Sequence, residues 1–111
     1  MTDDVVTYES SDRIAVITIN RPEKLNALTG DVVTGIRKAL IKLNDSDDRC
    51  AIIRGAGARA FSVGADLKDP PRDPALWVGM PGGGVDGDRP LFAAVSGGCV
   101  GGAVCVVEFC D

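Results

Sequence analysis

The strongest constraint on how this chain folds is a change of hydrophobic period along its N-terminal part. Val5 to Tyr8 and Arg13 to Ile19 (RIAVITI) are rich in β-branched residues and flank the polar stretch Glu9-Ser10-Ser11-Asp12, which predicts a β-hairpin with a polar turn. Asn20-Arg21-Pro22 stops the second strand, because proline lacks the ladder N–H and biases the preceding residue away from helix. From Thr29 the period becomes helical: Val32, Val33, Ile36, Ala39, Leu40 and Leu43 fall on one face. Thr29 reads as the N-cap, Asp31 suits the positive start of the helix dipole, and Arg37, Lys38 and Lys42 lie toward its negative end. Asn44 to Arg49 (NDSDDR) is a polar turn, and Cys50-Ala51-Ile52-Ile53-Arg54 is an apolar run suited to a buried strand. Hairpin, helix and strand in that order predict an α/β architecture.

Beyond this the signals are shorter. Pro70 to Arg89 is dense in proline and glycine, including Pro81-Gly82-Gly83-Gly84, and predicts an irregular loop. LFAAVSG after Pro90 is another short strand, ending at Gly97-Gly98. The run GGAVCVVEFCD from Gly101 is apolar enough for a buried helix, although periodicity leaves a strand open.

Composition narrows the function classes. At 111 residues the chain is one domain at most, and a domain of this size buries somewhat more than ~60% of its unfolded surface. A hydrophobic share of 45% with 25% charged residues is ordinary for a soluble globular protein. The net charge of -4, without a basic stripe, argues against a nucleic-acid surface. MTDDVVTYESSD lacks the layout of a secretory signal, and no apolar run approaches the ~20 residues that span a bilayer. A cytoplasmic protein without membrane contact is therefore expected. Cys50, Cys99, Cys105 and Cys110 form no CxxC pair and histidine is absent, which argues against a metal site and a disulfide scaffold. Reduced thiols buried in the core are the expectation.

Two glycine-bearing loops follow each other in RGAGARAFSVGADLKD, Arg54 to Asp69. A pyrophosphate loop needs a strand before it, a helix opening inside it and an acidic residue about 20 positions later. Gly55-Ala56-Gly57-Ala58-Arg59-Ala60 has only the first, so it reads as a tight turn, and a Rossmann-type nucleotide binder has little support. Gly82 to Gly84 lacks the GK[ST] ending of a P-loop and reads as a flexible turn.

ITINRPEKLNAL (Ile17 to Leu28), AFSVGADLKD (Ala60 to Asp69) and PLFAAVSGGCVGGAVCVVEFCD (Pro90 to Asp111) together resemble the three N-terminal signatures of the crotonase superfamily, also called the enoyl-CoA hydratase/isomerase family. They occur in family order and spacing over nearly the whole chain. The resemblance implies a crotonase-like spiral of ββα units, with residues 1–111 as its N-terminal portion and the remainder of the domain missing. It also implies acyl-CoA thioester substrates, coenzyme A entering only as part of the substrate, and homo-oligomers, trimers often paired into hexamers.

Chemistry at the carbons α and β to a thioester builds negative charge on the thioester oxygen, so two fixed backbone N–H donors lower the barrier. By resemblance these donors are Ala65, in Gly64-Ala65-Asp66, and Gly102, in Gly101-Gly102-Ala103. Small residues at both places let the thioester approach the backbone. If Gly101 opens a helix, the unpaired N–H groups of its first turn favour an oxyanion. Asp66, Leu67 and Lys68 line the acyl-CoA cleft in the family, with Lys68 a candidate for the nucleotide end of CoA; the alternative is a helix start after Asp66 with Lys68 solvated. Lys24 and Ala27 lie in the segment that borders the adenine part in the family, and Lys24 reads equally as an ordinary surface lysine.

Two departures concern the proton chemistry. Hydratases of this family carry a glutamate three residues after the oxyanion glycine, where this chain has Cys105. Their second acidic residue falls beyond Asp111. Glu108 lies one turn past Cys105, a displacement of about 5.4 Å on a helix. A thiol can transfer a proton or attack an acyl group, but a small core residue is the expected role of Cys105. A non-catalytic acyl-CoA-binding or oligomerisation fragment therefore stands beside the enzyme reading.

Overall fold

The computed structural model describes residues 4–73 and 87–111. Strands β1 (Val6–Ser11) and β2 (Ile14–Ile19) form the expected hairpin, in antiparallel register from Val6 opposite Ile19 to Ser11 opposite Ile14. Its turn is shorter than the polar composition suggested. Glu9, Ser10 and Ser11 are paired in β1, and only Asp12 and Arg13 turn, with φ of 52° and 63°. Positive φ at both central residues matches the right-handed twist of the flanking strands. Residues 9–11 are polar because they are exposed on an edge strand.

Helix α1 (Gly30–Asn44) starts where Thr29 accepts a hydrogen bond from the Val32 N–H at 3.2 Å. It buries the six apolar residues of the predicted face. At its far end Arg89 donates to the Leu43 carbonyl and, at 2.9 Å, to that of Ser46, placing a cation at the negative end of the dipole.

Strand β3 (Cys50–Gly55) pairs parallel with β2, and β5 (Leu91–Ala94) pairs parallel with β3, giving a sheet in the order β1-β2-β3-β5. Two further strands, β4 (Ala60–Ser62) and β6 (Gly98–Cys99), pair parallel with each other in a second sheet. Neither was foreseen, since strands of three and two residues are too short for an alternating pattern to register. The segment GAGARA is the turn joining β3 to β4, and no helix opens within it.

Helix α2 (Gly102–Phe109) follows β6 and decides the helix-or-strand alternative at the C-terminal run. Each successive strand pair adds one strand to each sheet: β3 with β4, then β5 with β6 followed by α2. This mixed α/β arrangement of two sheets, each extended one strand at a time, is that expected for the start of a spiral of ββα units. The core lies between the buried face of α1 and the sheet residues Ala15, Ile17, Ile19, Ala51 and Ile53, and extends to Phe61 and to Ala103 and Val106 of α2. Most of the predicted Pro/Gly-rich loop, including Pro81 to Gly84, lies outside the described residues. Among the described residues no helix is long and apolar enough to cross a membrane.

Candidate functional site

The segments after β2 and after β4 meet at Leu28 and Ala65, which form a parallel bridge. The Leu28 N–H donates to the Gly64 carbonyl at 2.7 Å, and the Leu28 carbonyl accepts the Asp66 N–H at 2.8 Å. In such a bridge the neighbours of the central residue face the partner, so the N–H of Ala65 points away from Leu28. Among the described residues no protein group accepts it.

A third segment reaches the same place. Gly64 has a φ of +87°, and a Cβ there would lie 2.7 Å from the Val100 carbonyl and 3.2 Å from the Gly102 nitrogen. Only a residue without a side chain permits this approach. Gly102 is the first residue of α2, and no protein group among the described residues accepts its N–H. That vacancy is inherent to a helix start. The N-cap Gly101 has no side chain to occupy it.

Behind the loop lies a buried polar strut. Asn26, fully buried with φ 56°, donates through Nδ2 to the carbonyls of Ala56 and Ala60, both at 3.0 Å, and accepts the Arg21 N–H at 2.9 Å. The buried Ser62 hydroxyl donates to the Asn26 carbonyl at 2.7 Å and accepts the Gly64 N–H at 3.2 Å. All buried side-chain polar atoms among the described residues are paired, as their desolvation demands.

An open cleft of about 660 Å³ brings together six of the predicted residues: Lys24, Ala27, Ala65, Asp66, Leu67 and Lys68. Gly102 is not in its lining and joins the site through its packing against Gly64. Lys24 and Lys68 are exposed, Leu67 is 96% exposed, and Ala27 is buried beneath the surface. Residues 67–69 bend without starting a helix. One Asp66 oxygen accepts the N–H groups of Lys68 at 2.9 Å and Asp69 at 3.2 Å, and the other pairs with the Arg21 guanidinium at 3.2 Å. The Lys68 N–H, reinforced by Arg21, holds the Asp66 carboxyl below the usual aspartate range.

The cysteines correct one expectation. None is fully buried, and Cys105 is exposed, because α2 turns Ala103 and Val106 into the core and leaves Cys105 and Glu108 outside. All four thiols are free. Burial pushes the Cys110 thiol up to about 11, with the Asp111 charge adding to the effect.

Sequence reasoning missed Arg21, Asn26, Ser62 and the approach at Gly64. Gly64 had a signal, a lone glycine between a β-rich run and an acidic residue. Arg21 had none, since its partner lies 45 residues away.

The profile of the enoyl-CoA hydratase/isomerase family matches residues 14–72. A probable enoyl-CoA hydratase of Mycobacterium bovis is 41% identical over 69 residues, covering 62% of this chain and 27% of that protein. The short-chain-enoyl-CoA hydratase of Clostridium acetobutylicum is 32% identical over 115 residues, covering 96% of this chain and 44% of that protein. A probable enoyl-CoA hydratase/isomerase from Mycobacterium abscessus superposes with a TM-score of 0.84 at 35% identity, over 99% of this chain and 44% of that one. The chain thus spans less than half the length of each of these relatives. With sequence profile and backbone in agreement, the chain belongs to the enoyl-CoA hydratase/isomerase family, the crotonase superfamily, and corresponds to its N-terminal region.

Proposed function

We propose that this chain binds an acyl-CoA thioester and polarises its carbonyl through the backbone N–H groups of Ala65 and Gly102. The observation that carries this reading is the meeting of two unclaimed backbone donors across Gly64, beside a cleft lined by Lys24, Ala27 and Lys68. Fixed donors aimed at a developing oxyanion need no reorganisation during reaction, and loss of one typically costs ~10²–10³ in rate. The helix start at Gly102 adds a positive dipole end. The ammonium groups of Lys24 and Lys68 suit the phosphates of CoA, which enters only as part of the thioester. The family resemblance adds the expectation that the chain would work within a homo-oligomer.

Enoyl-CoA hydratase or isomerase chemistry is the reaction class this reading favours. The exposed Cys105 at the glutamate position favours a second reading, an acyl-CoA-binding chain with little hydration activity of its own. Titration calorimetry with crotonyl-CoA and NAD tests the shared premise. Crotonyl-CoA is expected to bind more tightly, and tighter NAD binding would overturn the thioester reading.

A further inference from the structure

We propose that Arg21 is a positioning residue that fixes the direction of the Ala65 N–H by tying the loop after β2 to the loop after β4. This inference rests on the reading of Ala65 as a thioester-oxygen donor. The Arg21 Nη1 donates both to the Ala27 carbonyl at 2.9 Å and to Asp66 Oδ2 at 3.2 Å. Its own backbone is held in turn by Asn26. Both side chains of the pair are largely withdrawn from solvent, at 17% and 15% exposure. A charge-assisted bond so shielded is stronger than an exposed surface pair.

The consequence for Ala65 follows from what surrounds it. On one side the Gly64 carbonyl is taken by Leu28, and on the other Asp66 is tied twice to the same segment, by its N–H to Leu28 and by its carboxylate to Arg21. The other Asp66 oxygen closes the bend through Lys68 and Asp69. The peptide plane carrying the Ala65 N–H is thereby flanked by anchored groups. Without Arg21 the Asp66 carboxylate loses its cation and the second tie, and the plane is left to the two Leu28 bonds alone, with more room to rock. A shift of about 1 Å in a catalytic donor costs on the order of 10²-fold in rate.

Because Arg21 also lines the cleft, a direct contact with CoA phosphates is the competing role, and the experiment separates the two. The probes are free CoA, which has the phosphates without a thioester carbonyl, and the CoA thioester of 4-dimethylaminocinnamic acid, whose absorbance moves to longer wavelength when its carbonyl accepts hydrogen bonds. The wild-type protein is expected to bind both and to shift the absorbance of the thioester. Arg21→Ala should lose more than half of that shift while its affinity for free CoA stays within about threefold, under 1 kcal/mol. Arg21→Lys, which can offer two donors from one nitrogen, should recover part of the shift. Arg21→Met, which keeps the apolar stem but offers no donor, should behave like Arg21→Ala and carries the test on the same criteria if that variant does not fold. A full shift in Arg21→Ala, or a loss of free-CoA affinity of about tenfold or more, overturns the positioning role while leaving the thioester reading intact. A wild-type protein that fails to bind the thioester, or binds it without a shift, overturns the thioester reading and the positioning role with it.

Discussion

A Cβ placed on Gly64 would stand 3.2 Å from the backbone nitrogen of Gly102, so the two loops of the candidate site are in contact through a residue that has no side chain. The contact joins the loop after β4, held by Leu28 and Ser62, to the start of α2.

Gly64→Ala is therefore expected to damage fold and site together. The φ of +87° is strained for alanine, at a cost of ~1–3 kcal/mol, and the 2.7 Å approach to the Val100 carbonyl adds a clash with backbone. Gly30→Ala is the control, because a Cβ there meets nothing within 4 Å; it should leave stability unchanged or raise it by up to ~1 kcal/mol. Urea midpoints of the two variants should move apart, and acyl-CoA affinity should fall only for Gly64→Ala.

Asp48 makes a prediction about acid. The Ser10 hydroxyl donates to its Oδ1 and the Tyr8 hydroxyl to its Oδ2, and these bonds, Ser10 first, hold its carboxyl below the ordinary 3.8. A carboxyl depressed in the folded state contributes stability above its unfolded value and loses it as pH falls through the folded one. Asp48→Asn should lower the melting temperature at neutral pH and flatten its decline below the ordinary aspartate range. Some acid sensitivity should survive in the variant, because the Asp66 carboxyl is lowered in the same direction. Identical acid limbs for wild type and variant would show that the Asp48 bonds do not persist in solution.

The exposed Cys105 bears on turnover. Ala65 and Gly102 need only their backbone to polarise a carbonyl, whereas adding water requires a group to deliver or remove a proton. That assistance is typically worth ~10²–10⁴-fold. The chain alone should consume crotonyl-CoA far more slowly than the ~10 per second of ordinary enzymes, read by the loss of enoyl absorbance. Cys105→Glu should raise the rate. A rate that is ordinary in the wild-type chain and falls in Cys105→Ala would instead assign the proton transfer to the thiol.

Apolar exposure predicts self-association. Strand β5 pairs only with β3 among the described residues; on its other edge Leu91 is bonded to Asp111, and no strand covers the rest. Within β5 Phe92 is 48% exposed, and farther along the chain Val100 is 57% and Phe109 46% exposed. Sedimentation velocity should show concentration-dependent assembly, reduced by a Phe92→Lys, Phe109→Lys double substitution. A monomer at every concentration would contradict this expectation.

Local order was legible wherever an element was long enough to repeat its own period. The β-branched runs of β1 and β2, the six-residue buried face of α1 and the N-cap at Thr29 all appear in the structure as the residues predict. GAGARA is a turn between two strands, as its missing helix predicts, and Val63, Ala65 and Asp66 of the second loop line a cleft. Brevity hid β4 and β6, and edge exposure disguised the end of β1 as a turn. The placement of Cys105 was also beyond composition, since an apolar helix says which residues are greasy and not which of its faces finds a neighbour. Tertiary structure alone decided the Gly64 approach to Gly102, the Asn26 strut and the pairing of Arg21 with Asp66. The physical reason is that hydrophobic period and backbone propensity act over a few residues, whereas these contacts depend on where the parallel pairing of β2, β3 and β5 sets down the loops that follow each strand.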